Sequence, residues 1–401
     1  MKKEIGLNEL FFDLIQVAIG CRVCLSHSPS ADEWGELYAM AKKQSLVGVC
    51  FAGVQRLQGQ AQTPEEMLYL TWMGMAAKIQ QRNEEVNRQC VDLQKRLSAD
   101  GLRSAILKGQ GVAALYRLHD NVNDDDNSLN HSNNSVGEQS RATNLSLLRQ
   151  SGDIDVWVDG GMENAMTYAV KRFGQVEFDY INAHLPVFDS TEVELHWRAG
   201  HLMSLPKNAR FQKWVEENKQ HLTSGSVTMA DGSELVVPDV VFNRVYVLLH
   251  IFNHEFSEGI GLRQLMDYSF VLRKAMPTEE DKRDFKEIVT SLGMWRFAKA
   301  VMWIMQRVFA VPAEHLMCEA DEQEGAYILA EVMQNGNFGH HDERVSKALD
   351  NRYLGTLSRS LQHNWHLASH YPSMIFWSPV WYVYHFFWKR IWKMKHKELF
   401  V

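Results

Sequence analysis

Apolar residues recur at three- and four-residue spacing in WGELYAMAKKQSLVGVCFAGVQRL (34–57) and in PEEMLYLTWMGMAAKIQQRNEEVNRQCVDLQKRL (64–97), with none of the alternation of a strand. The chain therefore reads as helical from its start to about residue 98. Pro64 followed by Glu65 and Glu66 suits a helix start, where proline fits the first turn and acids oppose the dipole. SADG at 98–101 closes that block.

The pattern then shortens. LRSAILKGQGVAALYRL (102–118) reads as a strand ending at Ile106 to Leu107, a glycine turn, and a helix from about Val112. Residues 121–144 hold seven Asn, three Asp and four Ser, too polar a run for a core element, so a surface loop is expected as an insertion at about 119–147. From 150 to 200, strands and a helix alternate: DIDVWV, the helix MENAMTYAVKRF with Gly174 near its C-cap, then VEFDYI, LPVF and VELHW. Asp189 and Ser190 suit a hairpin between the last two, and SVTMADGSELVV a second hairpin around Asp231 and Gly232. Beyond Pro238 the chain is helical and rich in aromatics. The expected class is α+β: a helical region at 1–98, a small mixed α/β unit at 99–238, and a helical domain at 239–401.

Composition changes this picture little. The chain has 401 residues, beyond the size at which a single core usually stops growing, so two or three domains are the default. A net charge of −7 argues against bulk nucleic-acid binding, which needs a basic surface. Five cysteines do not make a disulfide framework, and Cys21-x-x-Cys24 has no second pair to complete a zinc site, so buried thiols in a reducing compartment are expected. Acids interrupt the apolar N-terminus, and no run of about 18 uncharged apolar residues follows. A cytoplasmic protein without a transmembrane segment is expected.

The chemistry concentrates in the middle unit. In QSGDIDVWVDG, Ile154, Val156 and Val158 share one strand face, and Asp153 and Asp155 the other. Two neighbouring carboxylates stay ionised more easily with a divalent cation between them, and oxygen donors suit Mg²⁺ or Mn²⁺. Two-metal phosphoryl chemistry wants a third acid from a nearby strand. TEVELHW supplies Glu192, Glu194 and His196 on one face, opposite Val193, Leu195 and Trp197. Mid-strand Glu194 is the better candidate, ahead of Glu192, Asp159 and Asp179. Upstream, Lys108, Gly109 and Gly111 form a turn that could bring backbone N–H groups to a phosphate.

Taken in order, ILKGQGVAALY, SGDIDVWV and VELHWR resemble the DNA polymerase beta-like nucleotidyltransferase superfamily, and within it the bacterial group labelled uncharacterised nucleotidyltransferase; LLHIFNHEFSEGIGLRQLMDY (248–268) is similar to that group as well. The resemblance implies a minimal nucleotidyltransferase core flanked by helices. It implies a nucleoside triphosphate as substrate, Mg²⁺ or Mn²⁺ as cofactor, and transfer of a nucleoside monophosphate to an acceptor hydroxyl with release of pyrophosphate. Asp153, Asp155 and Glu194 would be catalytic metal ligands, and Lys108, Gly109, Gln110, Arg149 and Gly152 would bind the nucleotide. His196, Arg263 and Asp267 would line the substrate cleft. Gln110 stands where the superfamily has serine.

Plainer readings compete. Asp153 and Asp155 could sit on a solvated edge strand, His196 could be an exposed polar residue, and Arg263 and Asp267 could form an i,i+4 ion pair. His250 and His254 have metal-ligand spacing but lack the H-E-x-x-H pattern, so zinc hydrolysis is disfavoured. Trp381, His385, Trp388 and Trp392 recur at helical spacing before a basic cluster, which suits a packed terminal helix or, less well, peripheral membrane contact. The alternatives in function are a D-x-D sugar-nucleotide glycosyltransferase, and a degenerate nucleotidyltransferase unit acting as a binding or toxin–antitoxin component. The acceptor, the base preference and the oligomeric state are not encoded in any motif.

Overall fold

The computed structural model describes residues 2–59, 62–116, 144–257, 259–336 and 369–399. The Asn-rich insertion lies outside them except at its end, where Leu145–Leu147 form one 3-10 turn. The chain opens with helices α1 (Lys2–Ala18), α2 (Ala31–Lys43), α3 (Val47–Arg56) and α4 (Glu66–Ala99). The middle comprises β1 (Ser104–Ile106), α5 (Gln110–Ala113), β2 (Ile154–Val158), α6 (Gly161–Phe173), β3 (Asn182–Leu185), β4 (Val193–His196), α7 (Leu205–Glu217), β5 (Gly225–Thr228) and β6 (Glu234–Val237). Then follow α8 (Val240–Glu255), α9 (Leu262–Arg273), α10 (Glu279–Ser291), α11 (Trp295–Phe309), α12 (Glu322–Asn335) and α13 (Pro372–Lys395). The class is α+β.

Four strands form one mixed sheet in the order β1-β2-β4-β3, and β5-β6 is a separate hairpin. β2 runs parallel to β4, with α6 and β3 in the crossover, while β1 and β3 are antiparallel to their neighbours. β2 and β4 are thus the central strands, which rules out the edge-strand reading of Asp155; Asp153 stands just before β2 and is partly exposed.

The sheet lies between two cores. Ile154, Val156 and Val158 pack with Val193, Leu195 and Leu185, with Ala165 and Met166 of α6, and with Val86, Cys90 and Leu93 of α4. Trp157, on the opposite face of β2, joins a larger cluster with Tyr246, Leu248 and Phe252 of α8 and with α9 and α11. All five β2 residues are consequently buried, and the face that carries Asp155 looks into protein rather than solvent.

The strand expected at VEFDYI is corrected. Only Phe178 makes an isolated bridge, to Ala183, and the paired strand begins at Asn182. Asp179 folds its carboxylate back onto the Tyr180 N–H at 2.6 Å. The aromatics that suggested a strand serve instead as a dock for α13: Tyr180 meets Trp381 and Trp388 at 5.0 and 4.9 Å between ring centroids, and Phe178 meets Trp392 at 5.1 Å. The indole stripe of α13 therefore packs against the middle unit. LPVF likewise ends its pairing at Leu185, and residues 186–192 return the chain to β4. No described helix is long and apolar enough to cross a membrane.

Candidate active site

Register builds the site. In the parallel pair Asp155 lies opposite Glu194, and across the antiparallel pair His184 lies opposite Glu194 and Asn182 opposite His196. Side chains in directly opposed positions share a face about 5 Å apart. A row of His184, Glu194 and Asp155 thus crosses three strands, and Asn182 and His196 form the next row.

His196 occupies the middle of this arrangement. Its Nε2 is 3.0 Å from Asp155 Oδ1 and 3.0 Å from Glu194 Oε2. Asn182 Nδ2 donates to the same Glu194 oxygen. Lys108, from the turn after β1, puts its Nζ 3.1 Å from Asp155 Oδ2 and 4.0 Å from Asp153 Oδ2. Burial by itself would neutralise His196, Glu194 and Lys108, but their pairing prevents it. Desolvation lowers the His196 pKa, yet the hydrogen bonds to Asp155 and Glu194 outweigh it and push the imidazole up to about 9. Burial raises Glu194, but His196 and Lys108 hold it down at about 2. Burial also opposes the Lys108 ammonium, and Asp155 and Asp153 more than offset it. Two carboxylates therefore converge on one place and are balanced there by an imidazolium and an ammonium.

Asp155, Glu194 and His196 offer ligand atoms within 4.8 Å of one another. This buried cluster could hold a metal ion. Glu192 is mostly exposed, pairs with His184 Nδ1 at 2.6 Å, and with His184 and Glu194 forms a second, more exposed group of possible ligands at the outer end of the row. Asp159 pairs with Lys219 at 2.7 Å and Asp179 with His385 at 2.6 Å, so neither belongs to the group. His196 is only 3% exposed, which excludes the exposed-residue reading.

Beside the row lies a cleft of about 560 Å³, open solvent included. Lys108, Gly109, Arg149, Gly152, Asp153, Asp155, Arg263 and Asp267 all line it, so eight residues singled out in the sequence meet in one place. Tyr246 and His250 from α8 and Gln264 from α9 also line it; His250 and Gln264 lie within the 248–268 motif, whereas Tyr246 had no signal in the sequence. Burial, together with the nearby carboxylates, keeps the Tyr246 hydroxyl protonated. Burial and the neighbouring Lys108 keep His250 neutral. His250 and His254 belong to no three-ligand group among the described residues.

Gln110 and Arg149 depart from the expectation. The Gln110 amide donates to Asn83 Oδ1 at 3.2 Å and to Asn87 Oδ1, tying the glycine turn to α4 rather than facing the cleft. Arg149 is clamped by Asp267, Nε to Oδ1 at 2.6 Å and Nη2 to Oδ2 at 2.7 Å, and Tyr116 donates to the same carboxylate. The ion pair drawn from sequence between Arg263 and Asp267 is thus replaced by one spanning 118 positions. Arg263 instead donates to the Gln150 carbonyl at 3.0 Å. Gly109 keeps φ at +58°, which a residue with a Cβ adopts only under strain.

The family model described as "Uncharacterised nucleotidyltransferase" matches residues 30–119 and 145–310. The match breaks at the Asn-rich stretch and includes every cleft residue named above. No curated protein and no solved structure matches the chain. The chain belongs to this uncharacterised nucleotidyltransferase family.

Proposed function

We propose that this member of the family is a metal-dependent nucleotidyltransferase that moves a nucleoside monophosphate from a nucleoside triphosphate to an acceptor hydroxyl. The observation that carries the reading is the parallel register of Asp155 and Glu194, which gathers two carboxylates and His196 beside a cleft containing Lys108. In the reaction the acceptor oxygen bonds to the α-phosphorus, the bond from that phosphorus to the bridging oxygen breaks, pyrophosphate leaves with the electron pair, and the hydroxyl proton passes to a base. A divalent ion would supply charge neutralisation on the phosphates and activation of the attacking oxygen.

The donor set fits such an ion. Asp155 and Glu194 supply hard oxygens, with Asp153 at the cleft edge as a third, and His196 adds a nitrogen that favours Mn²⁺ beside Mg²⁺. His196 and Lys108 place positive charge beside this acidic pair. Lys108 and the backbone at Gly109 and Gly152 face the cleft, where they would orient the phosphates. Arg149 and Asp267 hold each other and so shape the wall rather than contact phosphate through a free guanidinium.

The glycosyltransferase alternative loses its support. A sugar-nucleotide fold needs a sizeable α/β half before its D-x-D, and here only the three-residue β1 precedes β2 among the described residues. Direct binding tests the proposal: equilibrium dialysis with Mn²⁺ and each of the four triphosphates is expected to show metal-dependent nucleotide binding. Equal binding by wild type and Asp155→Asn would exclude it.

A further inference from the structure

The cleft wall contributed by α9 holds a feature that the metal cluster does not use. Arg263 and Gln264 begin this helix, are 7% and 5% exposed, and both line the cleft. Gln264 Oε1 accepts the Gly261 N–H at 3.1 Å. That bond settles which way the amide faces, because a flipped amide would set N–H against N–H. Gln264 Nε2 is then left as a buried donor with no hydrogen-bond partner among the described residues. Buried donors are seldom left unsatisfied, and at a cleft wall an unpaired one points to a ligand that brings an acceptor.

Arg263 fits the same ligand. Burial and the like charge of Arg149 pull its guanidinium down to about 10, and a bound anion would reverse that. Of the side chains expected from the sequence to contact phosphate, Gln110 is engaged with α4 and Arg149 with Asp267, which leaves Lys108 as the other cation lining the cleft. A cleft for a polyanion needs cationic and neutral donors, and α9 supplies one of each.

Resting on the nucleotidyltransferase reading, we propose that Arg263 and Gln264 anchor the phosphate tail that leaves as pyrophosphate, a task the superfamily gives to a glycine–serine turn. The ligand chemistry is a chain of phosphoryl oxygens, bound by the Gln264 amide N–H and the Arg263 guanidinium.

Gln264→Glu isolates the claim. It retains an oxygen for the Gly261 N–H and nearly the same volume, while an acceptor with negative charge replaces the orphan donor. Isothermal calorimetry on the full chain, with inorganic tripolyphosphate as probe and with and without Mn²⁺, is expected to show binding by wild type. The expected loss is at least about tenfold in Gln264→Glu and in Arg263→Gln, with Mn²⁺ binding alone unchanged in both. Unfolding midpoints close to wild type would establish that the variants are folded; if one is not, the other carries the test. Tripolyphosphate binding within about twofold of wild type in a folded variant, or no binding by wild type in either condition, would overturn the anchor. Loss of Mn²⁺ binding in Asp155→Asn is scored separately, so the metal site and the anchor can fail independently.

Discussion

Asp155 and Glu194 are register partners in a parallel strand pair, and a single nitrogen, His196 Nε2, lies 3.0 Å from an oxygen of each. Two buried acids so arranged repel unless positive charge stays between them. That fact makes the site sensitive to metal and to substitution in predictable directions.

Metal should stabilise the wild-type fold through this pair. At a free ion concentration about a hundredfold above its dissociation constant, binding to the folded state alone adds about 2.7 kcal/mol. Denaturant unfolding with and without Mn²⁺ should show a gain of this order in wild type and none in Asp155→Asn.

The two glutamates of β4 should separate cleanly. Glu194 shares hydrogen bonds with His196 and Asn182 inside the cluster, whereas Glu192 is mostly exposed and pairs only with His184 among the contacts described. Glu194→Gln is expected to weaken metal affinity by about 10- to 100-fold or more, and Glu192→Gln to leave it within about twofold. Metal titration by calorimetry checks both.

Restoring the serine of the superfamily turn should not improve the protein. Gln110→Ser removes the amide that links the turn to Asn83 and Asn87 and leaves both acceptors buried. A loss of about 1–3 kcal/mol in unfolding free energy is expected, with no gain in nucleotide affinity. Urea unfolding together with nucleotide titration measures the two effects.

A pH effect is expected away from the cleft. His201 stacks on Trp381 of α13 at 4.6 Å, and burial pulls its pKa down to about 4 from 6.5 despite Asp179 nearby; His385 and Arg198 act in the same downward direction. The unfolded chain thus binds more protons than the folded one between these values. The stabilisation is complete above pH 6.5 and is lost as pH falls through about 4. His201→Phe keeps a ring against Trp381 without the titration. Its unfolding midpoint, followed by tryptophan fluorescence, should fall less than that of wild type between those pH values.

Much of the site was legible because a strand sorts its side chains by alternation. Aliphatics at Ile154, Val156 and Val158 and at Val193 and Leu195 mark one buried face, which throws Asp155, Glu194 and His196 onto the other. The helical blocks and the hairpin at β5-β6 were legible for the same reason of period and turn chemistry. Alternation does not encode which strands lie side by side, and the β2–β4 pairing spans a helix and a strand. For that reason His196, assigned from sequence to an ambiguous polar face, emerges at the centre of the cluster. The alternating run 176–181 misled because Phe178 and Tyr180 fit a helix dock as well as a strand. Arg149 with Asp267, and the stranded amide of Gln264, depend on contacts between distant segments that no local pattern displays.

The central claim is transfer of a nucleoside monophosphate, and the position of the label tests it most directly. The protein is incubated with Mn²⁺, a pooled extract as acceptor source, and each triphosphate labelled at either the α- or the γ-phosphorus. The account predicts that α-label enters a product, that γ-label is released as pyrophosphate, and that Asp155→Asn abolishes both. Transfer of γ-label to the product, or α-label incorporation equal in wild type and Asp155→Asn, would contradict it.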